Sequence, residues 1–349
     1  MKITKQKIKN LIIILIAMII FSLSCVFYSS LNPFFIKLFA EKFNTVSNKD
    51  NLLVHFIDVD QADAAAINFP DGKIMLIDTG SEEVNTTYVN YLKENVLHTK
   101  RNKYIDYLVL SHADMDHVGG TLKLLKNFEV GTIFMPKIQS DSNSYAEIIN
   151  FVAANCNYNI SGDDFTITGV GYEIRFFEQL NSTNTNDASQ VIKVEYLNKS
   201  FLFCGDISAS VEQLYIDKYA KELDCDVLKV SHHGSKTATS SEFLNVVSPN
   251  HAVISVGEND YGHPTYEVLT RLKSAGANIL RTDERNDILF VLGENCDLYQ
   301  IDGIYYITRF SLNYVGFVLI VDGCLVVLCV VVIFKKEKTN TLNNLHKYI

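Results

Sequence analysis

Hydrophobic and polar positions between Leu52 and Leu292 follow two rhythms. Short apolar runs read as strands: "LLVHFIDV", "AAAINF", "KIMLIDTG", "IDYLVLSH", "QVIKVEYL", "FLFCGDI", "DVLKVSHH" and "HAVISVG". Amphipathic stretches at 82–97, 119–127, 144–154, 207–221, 240–247 and 265–275 read as helices. The pattern is α/β. Most of these strands run into Asp, Ser-His or Gly before a turn, and ligands of open α/β sheets sit beyond strand ends, so the polar residues are expected along one edge. "NSTNTNDASQ", 181–190, reads as a linker by composition, yet it places Asp187 directly before a strand.

The chain ends follow a different pattern. Positions 11–28 hold no charge, and 314–334 hold only Asp322. Transmembrane helices are therefore expected at 11–30 and 312–334. Lys2, Lys5, Lys7 and Lys9 precede the first, and Lys335, Lys336 and Lys338 follow the second. The positive-inside rule then makes 1–10 and 335–349 cytoplasmic tails and 31–51 a linker. The expected localisation is the cell membrane, spanned twice, with the domain at 52–309 outside the cytoplasm.

Charge sharpens the contrast. Residues 1–50 carry 7 Lys against 2 acids and residues 310–349 carry 4 Lys against 2, so of the net −9 the middle holds about −16. Such a segment repels polyanions except where metals or local basic patches intervene. Lys229, Lys236, Arg271, Arg281 and Arg285 read as scattered, solvated charge. Cys156, Cys204, Cys225 and Cys296 show no CxxC or zinc-finger spacing and read as core residues, with one or two disulfides as the alternative.

One stretch is chemically dense. "SHADMDHVGG", 111–120, sets His112, Asp114, Asp116 and His117 within six residues after an apolar run. Imidazole with carboxylate suits divalent ions such as zinc or manganese. An irregular turn can aim His112 and Asp114 at one ion and Asp116 and His117 at another. Two ions need a bridging carboxylate and ligands from elsewhere, and Asp187, Asp206, His232, His233 and His263 stand near later strand ends.

The ordered motifs "FIDVDQADAAAI", "DGKIMLIDTG", "IDYLVLSHADMDHVGG", "NDASQVIKVEY", "FLFCGDI", "DVLKVSHHGS" and "YGHPT", from about Leu52 to Asp287, resemble those of the metallo-β-lactamase fold hydrolases. Within these, the chain is most similar to the hydrolase domain of ComEC competence proteins and its free-standing relatives. The resemblance implies a four-layer αββα sandwich with two divalent ions, zinc or manganese, at one edge. It implies His112, Asp114, Asp116 and His117 as ligands, Asp206 as the bridging carboxylate and His263 as a late ligand. His232 and His233 are implied as ligands or proton donors, so with Asp116 they are the candidate catalytic residues. Asp58, Asp63 and Asp78 are candidates to sit behind the ligands; Asp78 either orients a histidine or caps the helix at 82.

Three positions depart from the family's pattern. Asp114 stands where many members have His, which hardens the site toward manganese. Asp60-Gln61-Ala62 replaces Gly-Gln-Gly, which strains that turn or reshapes the pocket. Asn186-Asp187 stands where many relatives supply a His, leaving Asp187 a candidate ligand. The resemblance implies a membrane-anchored hydrolase of phosphodiesters, with extracellular single-stranded DNA as a candidate substrate, working through a hydroxide activated by two metals. Two alternatives stand beside it: a hydrolase of a small lactone, β-lactam or ester, and a non-catalytic component of DNA uptake or of a surface complex. The sequence names no protein partner.

Overall fold

The computed structural model describes residues 51–97, 103–138, 140–179, 184–293 and 298–302. The expected spans at 11–30 and 312–334 and both tails lie outside them. Among the described residues, no helix is long and apolar enough to cross a membrane.

The described residues form two sheets. The first comprises β1 (Leu52–Phe56), β2 (Ala65–Asn68), β3 (Ile74–Ile77), β4 (Tyr104–Val109), β5 (Glu129–Met135), β6 (Tyr158–Ile160), β14 (Ile288–Leu292) and β15 (Leu298–Asp302). Its order is β15-β14-β1-β2-β3-β4-β5-β6. The second comprises β7 (Phe165–Thr168), β8 (Tyr172–Phe176), β9 (Ile192–Tyr196), β10 (Lys199–Phe203), β11 (Val227–Lys229), β12 (His251–Ile254) and β13 (Asn278–Arg281), in the order β13-β12-β11-β10-β9-β8-β7.

Strand alternation explains why the sheets stack. Leu52, Val54 and Phe56 of β1 join Ile174 and Phe176 of β8, Ile192 and Val194 of β9, and Phe201 and Phe203 of β10 in one buried cluster. Leu53 and His55 of β1 take the opposite face, where His55 Nδ1 lies 2.9 Å from the Tyr91 hydroxyl. Leu202 and Leu228 likewise face outward from the second sheet into a separate cluster. Both faces of each central strand are therefore covered, which is why these strands read as nearly continuous apolar runs.

Helices supply the outer layers. Over the first sheet lie α1 (Asn85–Tyr91), which continues into a π-helical turn over Leu92–Val96, and α3 (Thr121–Asn127) and α4 (Asn143–Asn155), with α2 (Met115–Val118) at the sheet's end. Over the second, Val211 and Tyr215 of α5 (Ala209–Tyr219), Phe243 and Leu244 of α6 (Ser241–Val247), and Val268 and Leu272 of α7 (Tyr266–Ser274) fill the outer cluster. A one-turn α8 (Thr282–Arg285) leads into β14. The layers are helix, sheet, sheet, helix.

Cys204 and Cys225 are buried free thiols, as the core reading expects, Cys156 is a half-buried free thiol, and Cys296 lies outside the described residues. One sequence expectation needs correction. Lys229 is not solvated: it shares the inward parity of Val227 and its Nζ lies 2.7 Å from Asp63 Oδ2.

Candidate metal centre

Three backbone segments are knitted together at the end of the first sheet. Asp63 N donates to Asp116 O at 3.1 Å, Gly80 N to Asp63 O at 2.8 Å, Thr79 N to His117 O at 2.7 Å, and Gly120 N to Gly80 O at 3.0 Å. Gly120 is required for this closeness, since a Cβ there would meet Thr79 O at 2.2 Å. The Gly pair after His117 thus lets α2 close on the turn after β3. Asp60 takes φ 55° in the turn where the family pattern has Gly, a conformation Asp tolerates better than most residues.

Asp206 arrives from the second sheet, just past β10, with its N–H donated to Ser189 Oγ at 3.0 Å. His232 and His233 follow β11 with φ of 51° and 50°. Two consecutive non-glycine residues in the left-handed region are costly, and such strain gathers at functional sites. His232 N donates to Gly205 O at 3.2 Å and Ser235 N to His232 O at 2.8 Å, which holds the turn.

The Asp206 carboxylate is the hub. Its Oδ1 lies 3.4 Å from His117 Nε2; its Oδ2 lies 4.0 Å from His112 Nε2, 3.8 Å from His232 Nε2 and 3.9 Å from His233 Nε2. Asp114 Oδ2 is 3.9 Å from His112 Nε2, and Asp116 Oδ2 is 3.3 Å from His233 Nε2. Two ligand atoms at tetrahedral angles on metal bonds of about 2.1 Å stand about 3.4 Å apart, so several of these spacings match the edges of a coordination shell.

Hydrogen bonds fix which imidazole nitrogen faces inward. His117 Nδ1 lies 2.8 Å from Asp78 Oδ2 and His233 Nδ1 lies 2.8 Å from Ser255 O. Both oxygens only accept, so each Nδ1 carries the proton. Ser111 donates its hydroxyl to Asp78 Oδ2 at 2.7 Å and therefore accepts from His112 Nδ1 at 3.1 Å. The Nε2 atoms of His112, His117 and His233 are left to bind something else. All three, with Asp206 Oδ1, are buried without a hydrogen-bond partner. Nε2 atoms without hydrogen-bond partners converging on a carboxylate fit a shared cation, with the outward nitrogen held from behind as in many metal sites.

The electrostatics agree. Burial penalises the His117 imidazolium, but Asp206 and Asp78 outweigh it and hold its pKa well above the usual histidine value. Burial also penalises His233, which is raised by Asp206 and Asp116. Burial opposes ionisation of Asp206 and Asp116 too, yet the facing histidines keep both carboxyls below the usual range. His112 falls to about 4 through burial and the neighbouring His117. Protons thus occupy positions that a metal ion would take.

The remaining candidates sit around this core. Asp63 has a carboxylate oxygen within 4.8 Å of ligand atoms of His117, Asp206 and His233. However, its Oδ2 is engaged by Lys229, which makes it a weaker donor than Asp116. His263 stacks its ring near Tyr261 and meets His232 edge-on at 5.8 Å; its Nδ1 is buried without a partner. Asp187 accepts the Ser208 N–H at 2.9 Å, at the start of α5. Asp58 accepts the Asp60 N–H, and burial raises its carboxyl to about 6. Asp78 orients His117 and Ser111 rather than capping a helix. Sequence reasoning passed over Ser111, Ser189, Ser255 and Thr185, whose hydroxyl donates to Asp114 Oδ1 at 2.7 Å.

The family model of the metallo-beta-lactamase superfamily matches residues 57–258, which holds every residue of this cluster except His263. ComE operon protein 3 of Bacillus subtilis is 31% identical over 254 residues, covering 68% of this chain and 32% of that protein. Competence protein ComA of Neisseria gonorrhoeae is 33% identical over 192 residues, covering 54% and 26%, and recombination protein 2 of Haemophilus influenzae is 32% identical over 240 residues, covering 66% and 28%. The chain spans about a third or less of the length of these curated relatives. Since the family model covers more than half of the chain, the chain belongs to the metallo-β-lactamase superfamily.

Proposed function

We propose that this metal-binding hydrolase cleaves phosphodiesters, holds two divalent ions, and works outside the cytoplasm on a membrane anchor. The observation that carries the reading is the Asp206 carboxylate within 4.0 Å of the Nε2 atoms of four histidines, His112, His117, His232 and His233, with Asp114 beside His112 and Asp116 beside His233. Those residues would hold the ions. Ions bound there supply Lewis acidity to a phosphoryl oxygen and make water nucleophilic at neutral pH.

The protein's own groups do the rest. Asp78, Ser111 and the Ser255 carbonyl fix three imidazoles before any ligand arrives. His232, the more open histidine of the hub at 29% exposure, is the group placed to hand a proton to a leaving oxygen. The three carboxylates favour a hard ion, manganese over zinc, and hard ions suit phosphoryl oxygens. Relatives named for competence and recombination support DNA as the phosphodiester. The charge-free stretch at 11–28 and the apolar one at 314–334, flanked by Lys, support the anchor.

The test is to offer the full chain in detergent, loaded with Mn²⁺ or Zn²⁺, four substrates side by side: bis(p-nitrophenyl) phosphate, single-stranded DNA, a lactone and a β-lactam. Asp206→Ala serves as the blank. Phosphodiester cleavage stimulated by Mn²⁺ is expected. Lactone or β-lactam turnover alone would move the substrate to small esters, and no turnover at all would favour a binding component. Protease added to intact cells should digest the middle segment; full protection would refute the extracytoplasmic placement.

A further inference from the structure

Between the two sheets, behind the metal centre, lies a cavity of about 20 Å³ whose wall includes Asp63, Asp78, Ser111, Gln190, Lys229 and Ser255. Three of these residues carry a buried polar atom with no hydrogen-bond partner: Asp63 Oδ1, Gln190 Oε1 and Ser255 Oγ. The residues are 5%, 1% and 1% exposed. Buried polar atoms in native proteins are nearly always paired, so three orphans on one wall call for a shared partner.

The inventory of donors and acceptors says what that partner is. Gln190 already spends both N–H groups on Phe177 O and Val191 O, at 2.6 and 3.1 Å, so its Oε1 can only accept. Asp63 Oδ2 takes the Lys229 ammonium at 2.7 Å, and Oδ1 can only accept. Lys229 gives a second N–H to Val230 O at 3.1 Å, which leaves a third. The Ser255 hydroxyl can donate. The wall thus offers two acceptors and two donors, the complement of one water molecule.

We propose that a single ordered water fills this cavity, donating to Asp63 Oδ1 and Gln190 Oε1 and accepting from Ser255 Oγ and Lys229 Nζ. A water needs roughly 10–15 Å³ and two to four polar partners, and this cavity supplies both. A sodium ion is disfavoured, because Lys229 already neutralises Asp63 and its ammonium would face the ion. The water ties Asp63, beside the first sheet, to Gln190 and Ser255 of the second. Asp78, Ser111 and Ser255, which orient the histidines, share this wall, so the aim of the ligands rests partly on a solvent molecule.

The solvent site stands whether or not the metal reading holds; only its effect on ion affinity depends on that reading. The direct test is a crystal structure of the full chain at a resolution that shows ordered solvent. The expected result is one peak about 2.6–3.2 Å from Asp63 Oδ1, Gln190 Oε1 and Ser255 Oγ. An empty cavity, direct pairing of Ser255 with Asp63 or Gln190, or contacts near 2.4 Å typical of a cation would each overturn the proposal. As a second arm, Ser255→Ala removes one donor but keeps the carbonyl that holds His233. Mn²⁺ affinity measured by chelator competition should fall about tenfold, the lower end for partners behind metal ligands. Unchanged affinity with the peak present would overturn the orienting role while leaving the water in place.

Discussion

The carboxylate of Asp78 holds His117 from behind: Oδ2 lies 2.8 Å from Nδ1, while Oδ1 and Oδ2 also take the N–H and hydroxyl of Ser111 at 2.7 Å each. One side chain therefore aims His117 directly and His112 through Ser111. Asp78→Ala should weaken Mn²⁺ or Zn²⁺ binding by about 10- to 100-fold. Chelator competition on the purified protein checks it, and an unchanged affinity would mean that the histidines are aimed by something else.

Asp206→Ala should be the most damaging single change. The carboxylate faces four histidines, so its loss removes the group shared by both proposed ion positions. Metal analysis should show less than one ion per chain, against about two for the parent, with turnover abolished and circular dichroism unchanged. Retention of both ions would refute the bridging role.

Metal affinity should rise with pH. In the metal-free protein His117 and His233 hold their protons above the usual histidine value, and an arriving ion displaces them. Binding at neutral pH should release protons, seen as calorimetric heats that change with the ionisation enthalpy of the buffer. Equal heats in every buffer would sink this expectation. Stability of the metal-free protein has its own signs. The raised His117 contributes fully below its ordinary value of 6.5 and less as pH climbs through its folded value. The depressed Asp206 contributes above 3.8, and that part is lost as pH falls through its folded value.

Lys229→Met should destabilise the metal-free fold by about 3–5 kcal/mol, because it leaves the Asp63 carboxylate buried without its counter-ion. Adding Asp63→Asn to the same chain should recover much of the loss. Denaturant unfolding of the two variants measures it; a single variant as stable as the parent would show that the buried pair contributes little.

The legible parts of the sequence were those with strong local signals. The eight apolar runs read as strands correspond to β1–β4 and β9–β12, and each expected helix overlaps an observed one. Of the strands that escaped, β14, "ILFVL", is a fully buried apolar run whose signal was strong, while others have weaker patterns. β5 begins with a half-exposed "EVGT", and β8, "YEIRF", buries only every second residue. Tyr172, Ile174 and Phe176 do alternate cleanly, so the period-2 signal was there to be read. Around the site, His112, Asp116, His117, Asp206 and His233 stood out by chemistry. Lys229 did not, because a lone lysine normally means solvent; its parity with Val227 was the available clue. Ser111 and Ser255 were illegible, since one works through its hydroxyl between three partners and the other through its carbonyl.

The pairing of β1 with β14 joins Leu52 to Leu292 across almost the whole described chain. The first sheet is therefore incomplete until nearly the last strand has arrived, and contacts of such long sequence separation form slowly. His112 and Asp206 likewise come from opposite halves of that path, so a half-folded chain owns half a binding site. An ion that binds only the finished sandwich would stabilise the docked sheets over their separate halves by mass action.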